Sequence, residues 1–120
     1  MPETEVLIYA SEDGSAPLLD WLDGLPQKVQ DKCLVRIERL GQMGHELRRP
    51  EADSLRDGIH ELRVTFSGVH YRVLYFFHGQ RVVISHGVVK EREVPSGEID
   101  LAIDRWRRFE KNPDKHTFGE

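Results

Sequence analysis

The feature that most constrains this chain is a set of three β-rich runs separated by very short polar connections. The runs extend from residue 59 to 66, from 71 to 77 and from 81 to 86, and each connection contains glycine. Short glycine-containing connections between β-branched and aromatic runs are typical of antiparallel hairpins. The sequence therefore predicts an antiparallel β-sheet in the second half of the chain.

Helical patterns precede and follow these runs. After a short β-rich segment at residues 5–10, a first helix is predicted to begin near Pro17, and a second to cover residues 26–41. In the second helix apolar residues recur every three or four positions, which is one face of a helix. A last helix is predicted between Pro95 and Pro113, because proline starts and ends helices well.

Two segments show neither the alternation of a strand nor the repeat of a helix. Residues 44–58 contain Arg48-Arg49-Pro50 and Arg56-Asp57-Gly58, which is turn chemistry, so we expect a loop there. Residues 113–120 are polar, and we expect a flexible tail. The whole chain, residues 1–120, is long enough for one domain and too short for two.

Strands that cluster after helices predict an α+β fold. Two N-terminal helices and a C-terminal helix would pack on one face of the antiparallel sheet, in two layers. Because side chains alternate between the faces of a strand, the apolar set beginning at Leu62 should face the helices, leaving Glu61, Arg63 and Thr65 on an open face. Arg72 lies on the same face of its strand as apolar residues, so alternation alone does not show whether its side chain points to the helices or to the open face.

Charge is unevenly distributed along the chain. The net charge is −4, yet residues 1–31 hold seven acids and one base, whereas residues 32–120 hold 16 bases and 14 acids. Residues 59–90 hold four bases and four histidines against Glu61 alone. The negative net charge argues against a generally basic nucleic-acid-binding protein. The local excess of bases indicates a site for an anionic ligand.

Several classes of protein are not expected. Cys33 is the only cysteine, so neither an intramolecular disulfide nor a four-cysteine zinc site can form. The chain has no run of 18 apolar residues, so we expect no membrane-spanning segment. Residues 1–5 are acidic and lack the basic and apolar regions of a secretory signal, so the cytoplasm is the expected compartment. No motif indicates a cofactor.

Basic residues of neighbouring predicted strands form the candidate site. The segments are Glu61-Leu-Arg63, Tyr71-Arg72, Ser85-His86 and Lys90-Glu-Arg92. Arginine offers a planar fork of donors and a permanent charge, which suits a phosphate. Bases that bracket an RNA phosphate can also stabilise the charge that develops when a 2′-hydroxyl attacks it.

The same motifs, in this order, resemble the RelE/ParE superfamily of bacterial toxins and, within it, the phage-derived, HigB-like branch. The matching stretches are Glu61 to Arg63, Tyr71 to Tyr75, His86 to Lys90 and Val94 to Ala102. The resemblance covers most of the chain and implies a RelE-like fold, with two N-terminal helices against an antiparallel sheet. It also implies the toxin of a type II toxin–antitoxin system, often a ribosome-dependent mRNA endoribonuclease.

The resemblance implies partners as well. The HigB-like toxins are usually neutralised by a helix-turn-helix antitoxin, here a HigA-like protein, and the substrate would be mRNA bound to a ribosome. We therefore expect a homodimer or a toxin–antitoxin hetero-oligomer, and no association with a membrane.

The resemblance also assigns roles residue by residue. Arg72 matches the arginine of the family's Tyr-Arg motif, which looks like a phosphate clamp, and Arg63 matches a basic position on the preceding strand. Lys90 and Arg92 match the basic cluster after the last strand, where a base stabilises the transition state or protonates the leaving group. The chain departs from the pattern at Glu91, where many relatives have a second lysine, and it lacks the tyrosine that some relatives use just after this cluster.

The sequence leaves the general base open between His86 and Glu61. A histidine has a pKa near neutrality, but His86 at a strand end could equally be a hydrogen-bonded structural residue, and Glu61 could be a salt-bridge partner. His60, His70 and His78 lack the spacing of metal ligands, so we expect them at surface or loop positions. The reaction is expected to be metal-independent, with the bases supplying the positive charge.

Two other functions are compatible with the sequence. ParE-like relatives share the fold and inhibit DNA gyrase by binding it, and the weakened basic cluster after Lys90 suits such a non-enzymatic protein. The chain could also be an inactive phage-derived remnant that only binds its antitoxin.

Overall fold

The computed structural model describes residues 3–119. Met1 and Pro2, in the acidic segment 1–5, and Glu120, in the predicted tail, lie outside the described residues. Strands β1 to β5 comprise Val6–Ile8, Ala52–Arg56, Ile59–Phe66, Val69–His78 and Arg81–Lys90, and helices α1 to α3 comprise Pro17–Asp23, Gln27–Met43 and Ser96–Lys111. A 3₁₀ turn, Gly44–Glu46, follows α2. No helix within residues 3–119 is both long and apolar enough to cross a membrane.

The strands form one mixed sheet in the order β1-β5-β4-β3-β2. From β2 to β5, each strand pairs antiparallel with the next one along the chain. Strand β1 lies parallel to β5, with Val6 paired to Val82 and Ile8 to Ile84, so the prediction of a wholly antiparallel sheet was wrong at this edge. Helices and hairpins separate β1 from β5 along the chain, so no tight turn imposes an antiparallel direction. The α+β class itself is confirmed.

Helices cover both faces of the sheet, which makes three layers where two were predicted. On one face, Leu62 of the sheet shares a core with Leu18 of α1 and with α2. On the other face, Leu74 shares a second core with Phe109 of α3. Residues 73–77 of β4 are apolar at consecutive positions, which is the pattern of a strand buried on both faces. The two-layer expectation rested on the order of the elements along the chain, which does not show on which face α3 packs.

Strand β2 lies where a loop was predicted. This strand was not predicted because Asp and Ser, which form strands poorly, occur within Ala52–Arg56. The strand pairs with β3, where Ala52 lies opposite Leu62. Its connection to β3 is Asp57-Gly58, with φ values of 52° and 83°, as in the two-residue hairpin turns that Asp-Gly favours. This Asp-Gly pair was the signal in the sequence for β2.

Strands β4 and β5 are longer than predicted. Ser67 and Gly68 have φ values of 50° and 77°, so a two-residue turn connects β3 to β4, and β4 begins at Val69, before its predicted start. Strand β5 continues to Lys90, beyond its predicted end at His86. Both extensions lengthen the sheet at the end where the candidate site lies.

The predicted flexible tail packs against the N-terminal part of the chain over its described residues, 113–119. His116 is buried, and its ring stacks on Tyr9 with the centroids 5.1 Å apart. The Ala10 N–H donates to the His116 carbonyl at 2.9 Å, and Thr117 forms a β-bridge with Tyr9. The tail expectation was therefore wrong for these residues, because the edge of the sheet near β1 supplies partners that a polar composition does not reveal.

The packing of α1 on the sheet can be tested at Gly87. A Cβ atom there would overlap the indole ring of Trp21, so we expect Gly87→Ala to lower the free energy of unfolding by about 1–3 kcal/mol. Gly97→Ala is the matched control, since Gly97 lies in α3 with open space around it; alanine there should be neutral or stabilising by up to about 1 kcal/mol. Urea denaturation measures both. A Gly87→Ala variant as stable as the parent would contradict this packing.

Candidate functional site

Arg63 of β3 and Arg72 of β4 lie directly opposite each other across the antiparallel strand pair. Paired residues project from the same face of a sheet. This is the α3 face, because Leu74, in phase with Arg72, belongs to the core below α3. Helix α3 packs further along this face, where Trp106 stacks on Phe76. The two guanidinium groups therefore share one face, at the end away from that contact.

Glu61 lies between the two arginines and contacts both. Its Oε2 accepts a hydrogen bond from Arg63 Nε at 2.8 Å, and its Oε1 lies 3.4 Å from Arg72 Nε. The Glu61 side chain is only 2% exposed. Glu61 Oε1 and Arg72 Nε are both buried, and neither has a hydrogen-bond partner within residues 3–119. Incomplete hydrogen bonding of buried polar atoms is uncommon in a purely structural ion pair.

The cluster carries more positive charge than its acids neutralise. Like charges directly opposite each other across a strand pair are destabilising. Besides Glu61, Asp53 of β2 contributes a carboxylate, with Oδ2 3.2 Å from Arg63 Nη2 and 2.7 Å from Arg49 Nη2. Three arginines, including Arg72, therefore share two carboxylates. A bound anion would compensate the remaining charge.

The two opposed arginines differ in exposure. The side chain of Arg63 is 29% exposed, and that of Arg72 is 7% exposed. Burial lowers the pKa of the Arg72 guanidinium while Glu61 acts in the opposite direction; arginine nevertheless stays protonated in proteins. Arg72 Nη1 donates to the Tyr71 carbonyl at 3.0 Å. Arg72 is therefore almost enclosed, and Arg63 is the more accessible of the two guanidinium groups.

Lys90 and His70 extend this surface along the same face. They are paired across β5 and β4, and His70 is in phase with Arg72. His70 Nδ1 lies 3.1 Å from Thr65 Oγ1 on β3. Sequence reasoning did not include His70, although the Ser67-Gly68 turn was a signal that His70 lies in a strand. We refer to Glu61, Arg63, His70, Arg72 and Lys90 as the arginine patch.

The three histidines that were expected at surface or loop positions lie in strands. His60 belongs to β3, and His70 and His78 belong to β4; all three are half-buried. The expectation rested only on their lack of metal-ligand spacing, and hairpin register decides their actual positions.

Arg92 lies outside the sheet. It is exposed in the bend at residues 91–93, which connects β5 to α3, and it forms no salt bridge within the described part of the chain. The pleat of β5 directs Lys90 to the α3 face, whereas no strand orients Arg92. The structure therefore brings Glu61, Arg63, Arg72 and Lys90 onto one face and leaves Arg92 in the adjoining segment.

His86 is hydrogen-bonded at both ring nitrogens. Nδ1 lies 2.7 Å from Ser85 Oγ, and Nε2 lies 3.0 Å from Glu98 Oε1. Burial lowers the pKa of His86, the charge of Arg105 acts in the same direction, and Glu98 opposes both. Leu74 of β4 stands opposite His86 and separates it from β3. His86 is therefore held against the first turn of α3 and apart from the arginine pair.

The arginine patch suits a ligand with negatively charged oxygens. Guanidinium forks match the geometry of phosphate and keep their charge at any physiological pH. Across residues 3–119, no three His, Cys, Asp or Glu side chains form a group that could hold a metal ion. The chemistry that this arrangement offers is the binding of an anion by arginine and lysine, with a carboxylate at its centre.

The role of Glu61 in holding the arginines can be measured as stability. We expect Glu61→Gln to lower the free energy of unfolding by about 3 kcal/mol, because removing one partner of a buried ion pair leaves an uncompensated charge. Adding Arg72→Met should recover part of that loss, since it removes the charge left unpaired. Urea denaturation of the single and double variants gives the coupling energy. Purely additive effects would contradict a direct interaction.

The lowered pKa of His86 predicts a pH-dependent stability. The folded-state pKa lies below the ordinary value of 6.5, so the unfolded chain binds more protons. The free energy of unfolding therefore decreases as the pH falls below this value. His86→Gln should flatten the profile by up to about 1.4 kcal/mol per pH unit. Urea denaturation between neutral and mildly acidic pH measures the difference from the parent, and identical slopes would disprove the shift.

Comparison with known proteins identifies the family. The family described as "Phage derived protein Gp49-like (DUF891)" matches residues 20–107, which contain the whole arginine patch. Two relatives, both named "Probable endoribonuclease HigB1", come from Mycobacterium tuberculosis, strains CDC 1551 / Oshkosh and ATCC 25618 / H37Rv. Each is 30% identical over 103 residues, which cover 82% of this chain and 81% of the relative. The chain thus belongs to the phage-derived Gp49-like family, in the HigB-like branch of the RelE/ParE toxin superfamily.

Proposed function

We propose that this toxin is an endoribonuclease that cuts ribosome-bound mRNA by attack of a 2′-hydroxyl on the neighbouring phosphate. The toxin family and the name of its M. tuberculosis relatives support ribonuclease activity. The observation that carries the proposal is the opposed pair Arg63 and Arg72, with Glu61 between them. This pair has unneutralised positive charge on one face, where an RNA phosphate can bind.

In this proposal Arg63 and Arg72 bind the non-bridging oxygens of the scissile phosphate. Arg63 is the more exposed of the two and would meet the phosphate first, and the largely buried Arg72 would bind it from below. Negative charge grows on these oxygens as the 2′-oxygen approaches phosphorus. Guanidinium groups that are already held in position stabilise this charge more in the transition state than in the ground state.

Glu61 is the general base of the proposed reaction. The other candidate, His86, already uses both ring nitrogens in hydrogen bonds. Glu61 Oε1 has no hydrogen-bond partner within residues 3–119, so it is the oxygen that accepts the proton of the 2′-hydroxyl in this proposal, while Oε2 keeps its bond to Arg63. The 2′-oxygen then bonds to phosphorus while the bond from phosphorus to the 5′-oxygen breaks, and one product ends in a 2′,3′-cyclic phosphate.

The leaving 5′-oxygen needs a proton, and Lys90 supplies it in this proposal. Lys90 lies on the same face as Arg72, one strand away, and its ammonium group can donate. Arg92, in the adjoining segment, would stabilise the departing oxygen by its charge. The proposed reaction is metal-independent, because these side chains provide both the proton and the positive charge.

An antitoxin partner follows from the toxin–antitoxin family. We propose that it is a HigA-like helix-turn-helix protein that forms a hetero-oligomer with the toxin in the cytoplasm. An antitoxin that neutralises the toxin by covering the arginine patch would present acidic side chains to Arg63 and Lys90.

Gyrase inhibition is the second candidate function, and the charge of Glu91 favours it. Glu91 places an acid between Lys90 and Arg92 and so weakens the cluster that a nuclease would use. A ParE-like inhibitor, or an inactive remnant that binds only its antitoxin, would not need this cluster.

Arg72→Ala tests the phosphate clamp. We expect induced expression of the parent to arrest bacterial growth and Arg72→Ala to abolish the arrest, since losing one such contact reduces a rate by roughly 100-fold or more. Arg81→Ala is the control, because Arg81 is an exposed arginine on β5 that pairs with Glu5 at 4.0 Å. Thermal melts followed by circular dichroism separate loss of the fold from loss of the site. A folded Arg72→Ala toxin that arrests growth fully would remove Arg72 from the mechanism.

Mapping of RNA ends after induction separates the candidate functions. Cuts within translated mRNAs, absent with Arg72→Ala, would support the nuclease, and cutting by purified toxin only when ribosomes are added would support ribosome dependence. An intact transcriptome with DNA damage would favour gyrase inhibition. Absence of any growth phenotype, with antitoxin binding retained, would favour the inactive remnant.

A further inference from the structure

A cavity of about 430 Å³ lies on the face of the sheet opposite the arginine patch, beside the 3₁₀ turn that follows α2. Its walls include four flat rings and two exposed arginines: His45, His60, Tyr75, Phe77, Arg48 and Arg49. His60 is adjacent to Glu61 in β3, and alternation along the strand therefore sends their side chains to opposite faces. The cavity volume lies within the range of small-molecule sites.

The four rings form stacked pairs. His45 lies over Phe77 with the centroids 3.6 Å apart and the planes at 15°, and His60 stacks on Tyr75 at 5.3 Å and 20°. Burial lowers the pKa of His60, and the nearby His45 acts in the same direction, so both favour the neutral form of the His60 ring. Aromatic and histidine rings that line a cavity are the surfaces on which proteins stack unpaired nucleobases.

One carboxylate connects this cavity to the arginine patch around the edge of the sheet. Asp53 Oδ2 lies 2.7 Å from Arg49 Nη2 and 3.2 Å from Arg63 Nη2. The distance between Arg49 Nη2 and Arg63 Nη2 therefore cannot exceed the sum of these two distances. That sum is of the order of the spacing between neighbouring phosphates in an RNA strand. Arg49 is 72% exposed and so is accessible to a second phosphate.

We propose that this cavity binds the base of the nucleotide next to the scissile phosphate, while Arg49 binds the phosphate of that nucleotide. The base would stack among the rings of His45 and His60, and the RNA strand would cross the sheet at β2. The link to cleavage rests on the proposed function, whereas base binding depends only on the cavity. An occupied cavity would give the toxin a preference for particular bases beside the cut.

The proposal is tested with the four nucleoside 5′-monophosphates and inorganic phosphate as probes, added to the full chain and followed by NMR. Nucleotides should shift the imidazole resonances of His45 and His60, and inorganic phosphate alone should not. His45→Ala should weaken nucleotide binding at least about fivefold, the lower range for a lost stacking partner. Arg49→Ala should also weaken it. His78→Ala should not, because His78 packs edge-on against Phe109 on the α3 face.

The possible outcomes separate failure of the base-binding proposal from failure of the nuclease proposal. Equal shifts with inorganic phosphate, or unchanged affinity in a folded His45→Ala variant, would overturn base binding. Nucleotide binding that His45→Ala abolishes, in a parent that cuts no RNA, would keep the base site and reject the nuclease. A parent that cuts RNA but binds no nucleotide, with the same cut positions in His45→Ala, would reject the base site alone.

Discussion

The site depends on one electrostatic constraint: the register of β3 and β4 sets Arg63 opposite Arg72, and only a carboxylate between them makes that pairing tolerable. Glu61 provides the carboxylate, at 2.8 Å from one guanidinium and 3.4 Å from the other. Because Glu61 is buried, its charge is poorly screened and holds both arginines in place. With Asp53 included, three arginines share two carboxylates, and the remaining positive charge is what the proposed phosphate site requires.

The rest of the fold supports this patch and leaves Arg63 partly exposed. The core below α1 and α2 supports the sheet from behind, and close packing of Trp21 on Gly87 secures α1 to β5. Helix α3 covers the other face only in part, and the hydrogen bond between His86 and Glu98 holds its first turn in position. A site built on paired strands is more precise than one built on loops. The same architecture leaves the cavity beside His60 on the opposite face.

Much of the fold was predictable because it follows from local patterns. Hairpins with short glycine-containing turns and helices with a regular apolar period need only neighbouring residues to be recognised. The family motifs likewise singled out Arg63, Arg72 and Lys90, and the strand pairing places the three on one face of the sheet. Strand β2 was missed because its composition is poor for a strand, although Asp57-Gly58 marked its turn. Because the prediction lacked β2, it did not place Asp53, the carboxylate that contacts both Arg49 and Arg63.

The amino-acid sequence alone determined the α+β class, the antiparallel hairpins, the toxin family and the chemical types present in the site. Only the tertiary structure decided that α3 lies on the opposite face from α1 and α2, that β1 runs parallel to β5, and that Arg72 shares a face with Arg63. It also decided that His86 faces Glu98 and that His70 joins the patch. The physical reason is that cross-strand register and helix placement are set by contacts between residues far apart in the chain, which no local period encodes.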